Sequence, residues 1–201
     1  VPRSARARSA AEAHAAAAAL GYPLVVKPIS GAGSADTFEV GSERELEQAL
    51  VRTQHVRELS IEEFIAGEEF TFDCVCIDGT PAFMNVAQYL PKPLIARTNE
   101  WISPVITTVR ELRQPALADG IRLGRGVLSA LGMGTGFTHM EWFKKPSGEV
   151  VLGEIGCRPG GAHLVDALEG GLRHVVALLG AGVGRSGQAR WELTGTTSPV
   201  M

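Results

Sequence analysis

The chain has 201 residues, of which 45% are hydrophobic and 20% are charged, and its formal net charge is −3. This composition is typical of a globular protein with one core or two small lobes. The weak negative charge excludes a basic surface field for nucleic acid or an anionic membrane, and no apolar run is long enough to span a bilayer. Three cysteines, an odd number, argue against a disulfide framework, so we expect a cytoplasmic protein.

The first third of the chain predicts two helices and three strands. Ser9 and Glu12 form a capping-box pattern for a helix that ends near Gly21, and the same pattern predicts a second helix over 42–54. The runs with strand character are "YPLVVKPI" (22–29), "TFEV" (37–40) and "LSIEEFI" (59–65).

The rest of the chain predicts two hairpins separated by a loop and a helix. The first hairpin turns at Asp78-Gly79, and residues 91–111 lack periodicity, which indicates a long functional loop. A helix follows over 113–132, then a hairpin over 136–156 and a helical stretch over 162–179. We therefore predict an α+β fold, with a small lobe of about 20–65 and a larger lobe built on an antiparallel sheet.

The second hairpin carries two glutamates. A turn over 146–149 makes Phe143 face Leu152 and Glu141 face Glu154, and alternation puts His139 on the same face as Glu141. Two like charges opposite each other destabilise a sheet unless a cation lies between them, and paired carboxylates suit Mg²⁺. The alternatives are a solvated face or a strand register that slips by one residue.

Two basic residues complete a pattern that indicates phosphoryl transfer. Arg158 lies just past the hairpin, and arginine is suited to bidentate phosphate contacts. Lys27 ends an apolar strand, where it either reaches the protein surface or meets an anion. The Gly/Ser loop at 30–34 offers backbone N–H groups to phosphates but lacks the lysine of a P-loop. Residues 61–70 offer an edge for an adenine, and the competing interpretation for most of their glutamates is a solvated acidic face.

Five segments together resemble the ATP-grasp superfamily. They are "GYPLVVKP", the Gly/Ser loop, "IEEFIAGEEFTFD", "HMEWF" and "GEIGCRPGG", in the order and spacing of that family. The detail is most similar to the carboxylate–amine ligase branch, which includes the L-amino-acid (dipeptide) ligases. The resemblance implies a nucleotide between two α+β lobes, over 22–66 and 67–201, with the first as a lid and 1–21 as a connecting helix. It also implies that ATP phosphorylates a carboxylate and that an amine displaces phosphate from the acyl phosphate.

The resemblance assigns roles to individual residues. The nucleotide residues would be Lys27 at the phosphates, Gly31, Gly33 and Ser34 in a phosphate flap, Glu62 and Ile65 at the adenine through their backbone, and Glu69 at the ribose. Glu141 and Glu154 would bind Mg²⁺, with Mn²⁺ as a substitute, and Arg158 would be catalytic at the transferred phosphoryl group. The substrate candidates are Lys92, Arg97, Trp101, Ser103, His139, Gly161 and His163.

The sequence departs from the family in two places. Gly156 stands where many members have an asparagine, so the ligands of a second metal ion are open, and Cys157 is expected to be a small buried residue. The separate N-terminal α/β domain of the family is not matched, which leaves open a fragment, a homodimer or a partner that supplies it. Two alternatives to a ligase remain: a carboxylase-like or purine-biosynthetic enzyme that activates bicarbonate or a small acid, and a non-catalytic nucleotide-binding module.

Overall fold

The computed structural model describes residues 1–30, 35–91, 95, 99, 101–102 and 105–160. These residues form two antiparallel sheets, and each sheet carries helices on one face. The predicted α+β architecture is confirmed. No helix within these described ranges is long and apolar enough to cross a membrane.

The first sheet has four strands in the order β1-β4-β2-β3. Its elements in chain order are β1 (Ser4–Ala7), α1 (Ala10–Leu20), β2 (Leu24–Pro28), β3 (Phe38–Val40), α2 (Glu43–Arg52) and β4 (Leu59–Glu63). The side chains of Leu24, Val26 and Ile61 are fully buried together with alanines of α1 and with Leu46 of α2. Because side chains alternate along a strand, the intervening residues of β2 and β4 lie on the other face of this sheet.

Both predicted helix caps are confirmed. The Ser9 hydroxyl accepts a hydrogen bond from the Glu12 backbone N–H at 3.2 Å, and the Ser42 hydroxyl accepts one from the Glu45 N–H at 3.4 Å. Gly21 follows α1 with a φ of 81°, a conformation that favours glycine. Each cap satisfies a backbone donor that the first turn of a helix leaves without an intrahelical partner.

Strand β1 was not predicted. The sequence "SARA" has no alternation of apolar side chains, and its extended conformation comes from pairing with β4, in which Ser4 lies opposite Glu62 and Ala7 opposite Leu59. Ala7, Ala13 and Ala16 are buried in the first core. Residues 4–20 therefore contribute a strand and a helix to this sheet.

The second sheet has five strands in the order β7-β6-β5-β8-β9. Its elements are β5 (Glu68–Ile77), β6 (Thr80–Leu90), β7 (Val105–Thr108), a 3₁₀ turn (Pro115–Leu117), α3 (Ala118–Ala130), β8 (Gly136–Lys144) and β9 (Val150–Gly156). The predicted turn at Asp78-Gly79 joins β5 to β6, and both turn residues have a positive φ. The prediction of a loop over 91–111 is wrong at its end, because β7 pairs with β6 there.

One face of the second sheet is apolar and packs against α3. The contact is close because two glycines of α3 face aromatic rings: a Cβ on Gly120 would lie 2.3 Å from the Trp142 ring, and a Cβ on Gly124 would lie 2.4 Å from Phe72. The Trp142 ring stacks on Phe70 with 4.6 Å between the ring centroids. The other face of the same strands carries polar side chains, and the candidate site lies there.

Candidate functional site

The carboxylate pair forms as predicted, but by a different register. Phe143 pairs with Val151, so the predicted Phe143–Leu152 pair is wrong; one residue further along, Trp142 pairs with Leu152. A β-bulge then shifts the register, and Glu141 lies directly opposite Glu154. The extra residue in β9 is Gly153, where a Cβ would come within 3.0 Å of the Glu141 carbonyl oxygen. The bulge thus restores the predicted pair that the turn alone would have displaced.

His139 lies beside Glu141 on this face and links it to the next strand. Its Nδ1 is 2.6 Å from Asp73 Oδ1 on β5, and its Nε2 is 3.4 Å from Glu141 Oε1. Asp73 also accepts a hydrogen bond from the Thr71 hydroxyl at 2.7 Å. Desolvation by itself would lower the pKa of His139, but its contacts with Asp73 and Glu141 outweigh that effect and raise the pKa to about 9. The imidazole is only 3% exposed, and the two carboxylates beside it favour its cationic form.

Lys27 connects the two sheets. Its ammonium group lies 3.1 Å from Glu62 Oε2 on the neighbouring strand β4 and 4.0 Å from Glu154 Oε2 on β9. The Ser60 hydroxyl, also on β4, donates to Glu62 Oε1 at 2.7 Å and so orients that carboxylate. The lysine at the end of an apolar strand therefore does meet anions, and one of them belongs to the carboxylate pair of the second sheet.

Arg158 follows β9 at the same end of the site. Its side chain lies along Gly156, where a Cβ would be 3.5 Å from Arg158 Cγ, and its Nη1 donates to the Pro159 carbonyl at 3.1 Å. The guanidinium is exposed and so is accessible to a ligand. Cys157 is also exposed, which corrects the expectation that it is a small buried residue.

Sequence reasoning missed two further polar residues on β6. Tyr89 lies on the polar face, and its pKa is raised by burial first and then by the nearby carboxylates of Glu141, Asp73 and Glu69. Asn85 lies opposite Asp73 and is 5% exposed, and within the described part of the chain its Nδ2 has no hydrogen-bond partner. The signal that could have found them is the alternation along "NVAQY", which puts both side chains on one face of the strand.

Of the other predicted site residues, three are described by the structure and the rest are not. Ile65 and Glu69 are buried near the junction of β4 and β5, and Trp101 is 83% exposed. The remaining candidates lie outside the described residues: Gly31, Gly33, Ser34, Lys92, Arg97, Ser103, Gly161 and His163.

The residues present fit a hard divalent cation that is shared with a phosphate ligand. Glu141 and Glu154 lie directly opposite each other on β8 and β9, and Mg²⁺ is commonly held by one or two carboxylates together with substrate phosphates. Across the described ranges there is no group of three or more His, Cys, Asp or Glu side chains arranged to hold a metal ion by themselves. Two opposed carboxylates are compatible with a divalent cation that takes its other ligands from a phosphate group.

These elements define an α+β protein in which Lys27 of one sheet approaches Glu154 of the other, and the sequence places the chain in a family. A model of the ATP-grasp domain matches residues 20–166, and the chain belongs to the ATP-grasp family. The resemblance seen in the sequence is thereby confirmed.

The relatives include an L-amino acid ligase and a D-alanine–D-alanine ligase. The chain is 29% identical over 162 residues to the L-arginine-specific L-amino acid ligase of Bacillus subtilis, a match that covers 77% of this chain and 38% of the ligase. The fold is similar to that of D-alanine–D-alanine ligase from Bacillus anthracis complexed with ATP, with a TM-score of 0.64, 22% identity, and coverage of 90% of this chain and 58% of that one. It is also similar to carboxyaminoimidazole ribonucleotide synthase from Aspergillus clavatus, with a TM-score of 0.60, 17% identity, and coverage of 80% and 42%. The chain thus spans well under two thirds of the length of these proteins.

Proposed function

We propose that this chain carries the ATP-binding and phosphoryl-transfer core of a carboxylate–amine ligase. The observation that carries the proposal is the approach of Lys27 from the first sheet to Glu154, which pairs with Glu141 in the second, with the Arg158 side chain along Gly156 two residues beyond Glu154. A binding module needs a cation for the phosphates, but it does not need a further arginine at the end of a carboxylate pair. The L-amino acid ligase relative favours an amino acid as the acid substrate.

The proposed reaction has two steps. A carboxylate oxygen of the first substrate attacks the γ-phosphorus of ATP, the bond from that phosphorus to the bridging oxygen breaks, and ADP leaves. The amine nitrogen of the second substrate then attacks the acyl carbon, the bond from carbon to the phosphate oxygen breaks, and an amide and phosphate are released while the amine loses a proton. Both steps move negative charge onto phosphate oxygens, where positive side chains lower the barrier.

The residues of this chain have separate proposed roles. Glu141 and Glu154 hold Mg²⁺, which neutralises charge on the phosphates when it is bound. Lys27 leaves its ion pair with Glu62 to contact the phosphates, and Arg158 contacts the phosphoryl group during transfer. Ile65 contacts the adenine through its backbone, and Glu69 holds the ribose. The expected edge is wrong at Glu62, because β4 is an interior strand that pairs with both β1 and β2, so the backbone of Glu62 is not open to a base and only its carboxylate, paired with Lys27, faces the site. In this proposal the four-stranded sheet with its two helices acts as the lid of the site. It includes residues 4–20, which the sequence analysis set apart as a connecting helix, and the unit from residue 67 onward supplies the metal ligands.

Calorimetric titration of ATP with Mg²⁺ tests the proposal. We expect the wild type to bind, and Glu154→Gln to lose most of the gain in affinity that Mg²⁺ provides. Glu149→Gln is the matched control, because Glu149 is an exposed glutamate of the same hairpin that pairs with Lys145 in the turn. Equal Mg²⁺ dependence in all three proteins would contradict the metal assignment.

Phosphate release tests the acceptor. With Mg²⁺ and ATP present, we expect release to rise when an L-amino acid and an amine are supplied together. Release that responds to bicarbonate and not to amines would show that the chain instead activates bicarbonate.

A further inference from the structure

The buried chain of contacts behind Glu141 is not used by the reaction as proposed. It runs from Thr71 to Asp73 to His139 and ends at Glu141 Oε1, with atom separations of 2.7, 2.6 and 3.4 Å. Thr71, Asp73 and His139 are all less than 5% exposed, so they are shielded from water by the sheet and do not contact bulk solvent. Burying an aspartate costs free energy unless its oxygens are paired, and here both oxygens of Asp73 are paired.

The contacts determine which hydrogens His139 carries. Carboxylate oxygens only accept hydrogen bonds, so a ring that faces one carboxylate from each nitrogen needs a hydrogen on both. Asp73 holds the Nδ1 side at 2.6 Å, which fixes the ring plane and directs Nε2 at Glu141. A ring held on one side only would be free to rotate about its χ2 torsion.

Fixing His139 also fixes the carboxylate of Glu141. Its Oε1 faces the imidazole, and within the described residues no hydrogen bond or ion pair engages its Oε2. We propose that Asp73 is a positioning residue that acts through His139 to hold Glu141 with Oε1 toward the ring and Oε2 available for a divalent cation. This inference rests on the proposed function, because it takes Glu141 as a metal ligand.

The arrangement has a consequence for metal binding. A carboxylate that is already oriented loses little rotamer freedom when it binds a cation, whereas a mobile one loses more. Groups that orient a metal ligand typically contribute a factor of about 10 to 100 in metal affinity. Asp73 therefore strengthens the Mg²⁺-dependent part of nucleotide binding without contacting either the metal or the nucleotide.

The test separates metal-dependent from metal-independent binding. The dissociation constant of ATP is measured by calorimetry with Mg²⁺ and again with EDTA. The ratio of the two constants is the gain in ATP affinity that the metal provides, called the gain below. For Asp73→Asn we expect this gain to fall by about 10-fold to 100-fold while the EDTA value stays unchanged. Thr138→Val is the matched control, since Thr138 is equally buried and adjacent to His139 on β8 but lies on the apolar face.

Several outcomes would overturn the inference. If Asp73→Asn weakens ATP binding equally with and without Mg²⁺, Asp73 has only a structural role; if it leaves the gain at the wild-type value, Asp73 does not position Glu141. Should Asp73→Asn not fold by circular dichroism, Thr71→Val takes its place, with a smaller loss of the gain expected in the same direction.

Glu141→Gln, measured alongside, distinguishes the two proposals. If it removes the gain and Asp73→Asn does not, only the positioning role fails. If Glu141→Gln keeps the gain, the metal site itself fails.

Discussion

The two faces of the second sheet are formed by the same strands, but one face packs against α3 and the other carries charged side chains. On β5 and β8, Phe72 and Trp142 point toward α3 and are fully buried against its glycines. Their neighbours Asp73 and Glu141 point the other way and carry charge. A one-residue slip of either strand would exchange the two faces. Burial of the apolar face therefore stabilises the strand register that keeps Asp73 and Glu141 on the polar face.

The largest expected effect is on the apolar face. Gly124→Ala places a Cβ within 2.4 Å of Phe72, so the helix or the ring must shift, and we expect a loss of about 1–3 kcal/mol in the free energy of unfolding. Gly126→Ala in the same helix meets no atom within 4 Å and is expected to stabilise by up to about 1 kcal/mol. Urea denaturation measures both, and equal stability of the two variants would show that the close approach of α3 is not important.

The second prediction concerns pH and the polar face. The pKa of His139 is raised to about 9 in the folded metal-free protein, against 6.5 ordinarily, with Asp73, Glu141 and Tyr89 as the titratable neighbours. A raised pKa means that the folded state holds the proton more tightly, so the stabilisation is complete below about pH 6.5 and is lost as the pH rises through about 9. The expected slope between these values is a loss of up to about 1.4 kcal/mol per pH unit.

His139→Gln provides the comparison for that slope. The variant cannot bind this proton, so we expect its stability to change less between pH 6.5 and 9 when urea denaturation is repeated at each pH. Parallel curves for the two proteins would show that His139 does not hold a proton between its two carboxylates.

A further prediction compares two buried threonines on opposite faces of the second sheet. Thr71→Val removes the donor to Asp73 and is expected to cost about 1–3 kcal/mol, because a buried carboxylate oxygen loses its partner. The Thr138 hydroxyl faces only the Cys74 thiol, a weak hydrogen-bonding partner, so Thr138→Val is expected to change stability by less than about 1 kcal/mol. Thermal unfolding at one pH measures both, and a larger loss for Thr138→Val would contradict the assignment of the two faces.

The sequence was most informative where a signal is local. Helix caps at Ser9 and Ser42, the turn at Asp78-Gly79 and the alternation of the strands were predicted from nearby residues and are confirmed. Strand β1 was missed because its conformation depends on β4, more than fifty residues away. Local patterns cannot indicate a pairing of that kind.

The candidate site likewise depends on contacts that local sequence patterns cannot indicate. The Glu141–Glu154 pair was predicted from an assumed turn, and it is present only because the bulge at Gly153 offsets a one-residue difference in register. The Asp73–His139 contact joins residues 66 positions apart, and nothing in either segment indicates the other. Lys27 was recognised as an unusual lysine at the end of an apolar strand, but its partners on two sheets follow only from the packing.

The bulge at Gly153 lies between the turn of the hairpin and its two carboxylates. Three cross-strand pairs, from Lys144–Val150 to Trp142–Leu152, separate the turn from the bulge, and the carboxylates lie beyond it. The position of Glu154 opposite Glu141 therefore depends on the register of these three pairs together with the bulge, and the turn lies at the far end of the hairpin from the carboxylates. Pro146 and Ser147 are exposed at the tip, so a dye attached there would report on the protein while lying three cross-strand pairs and a bulge away from the carboxylate pair.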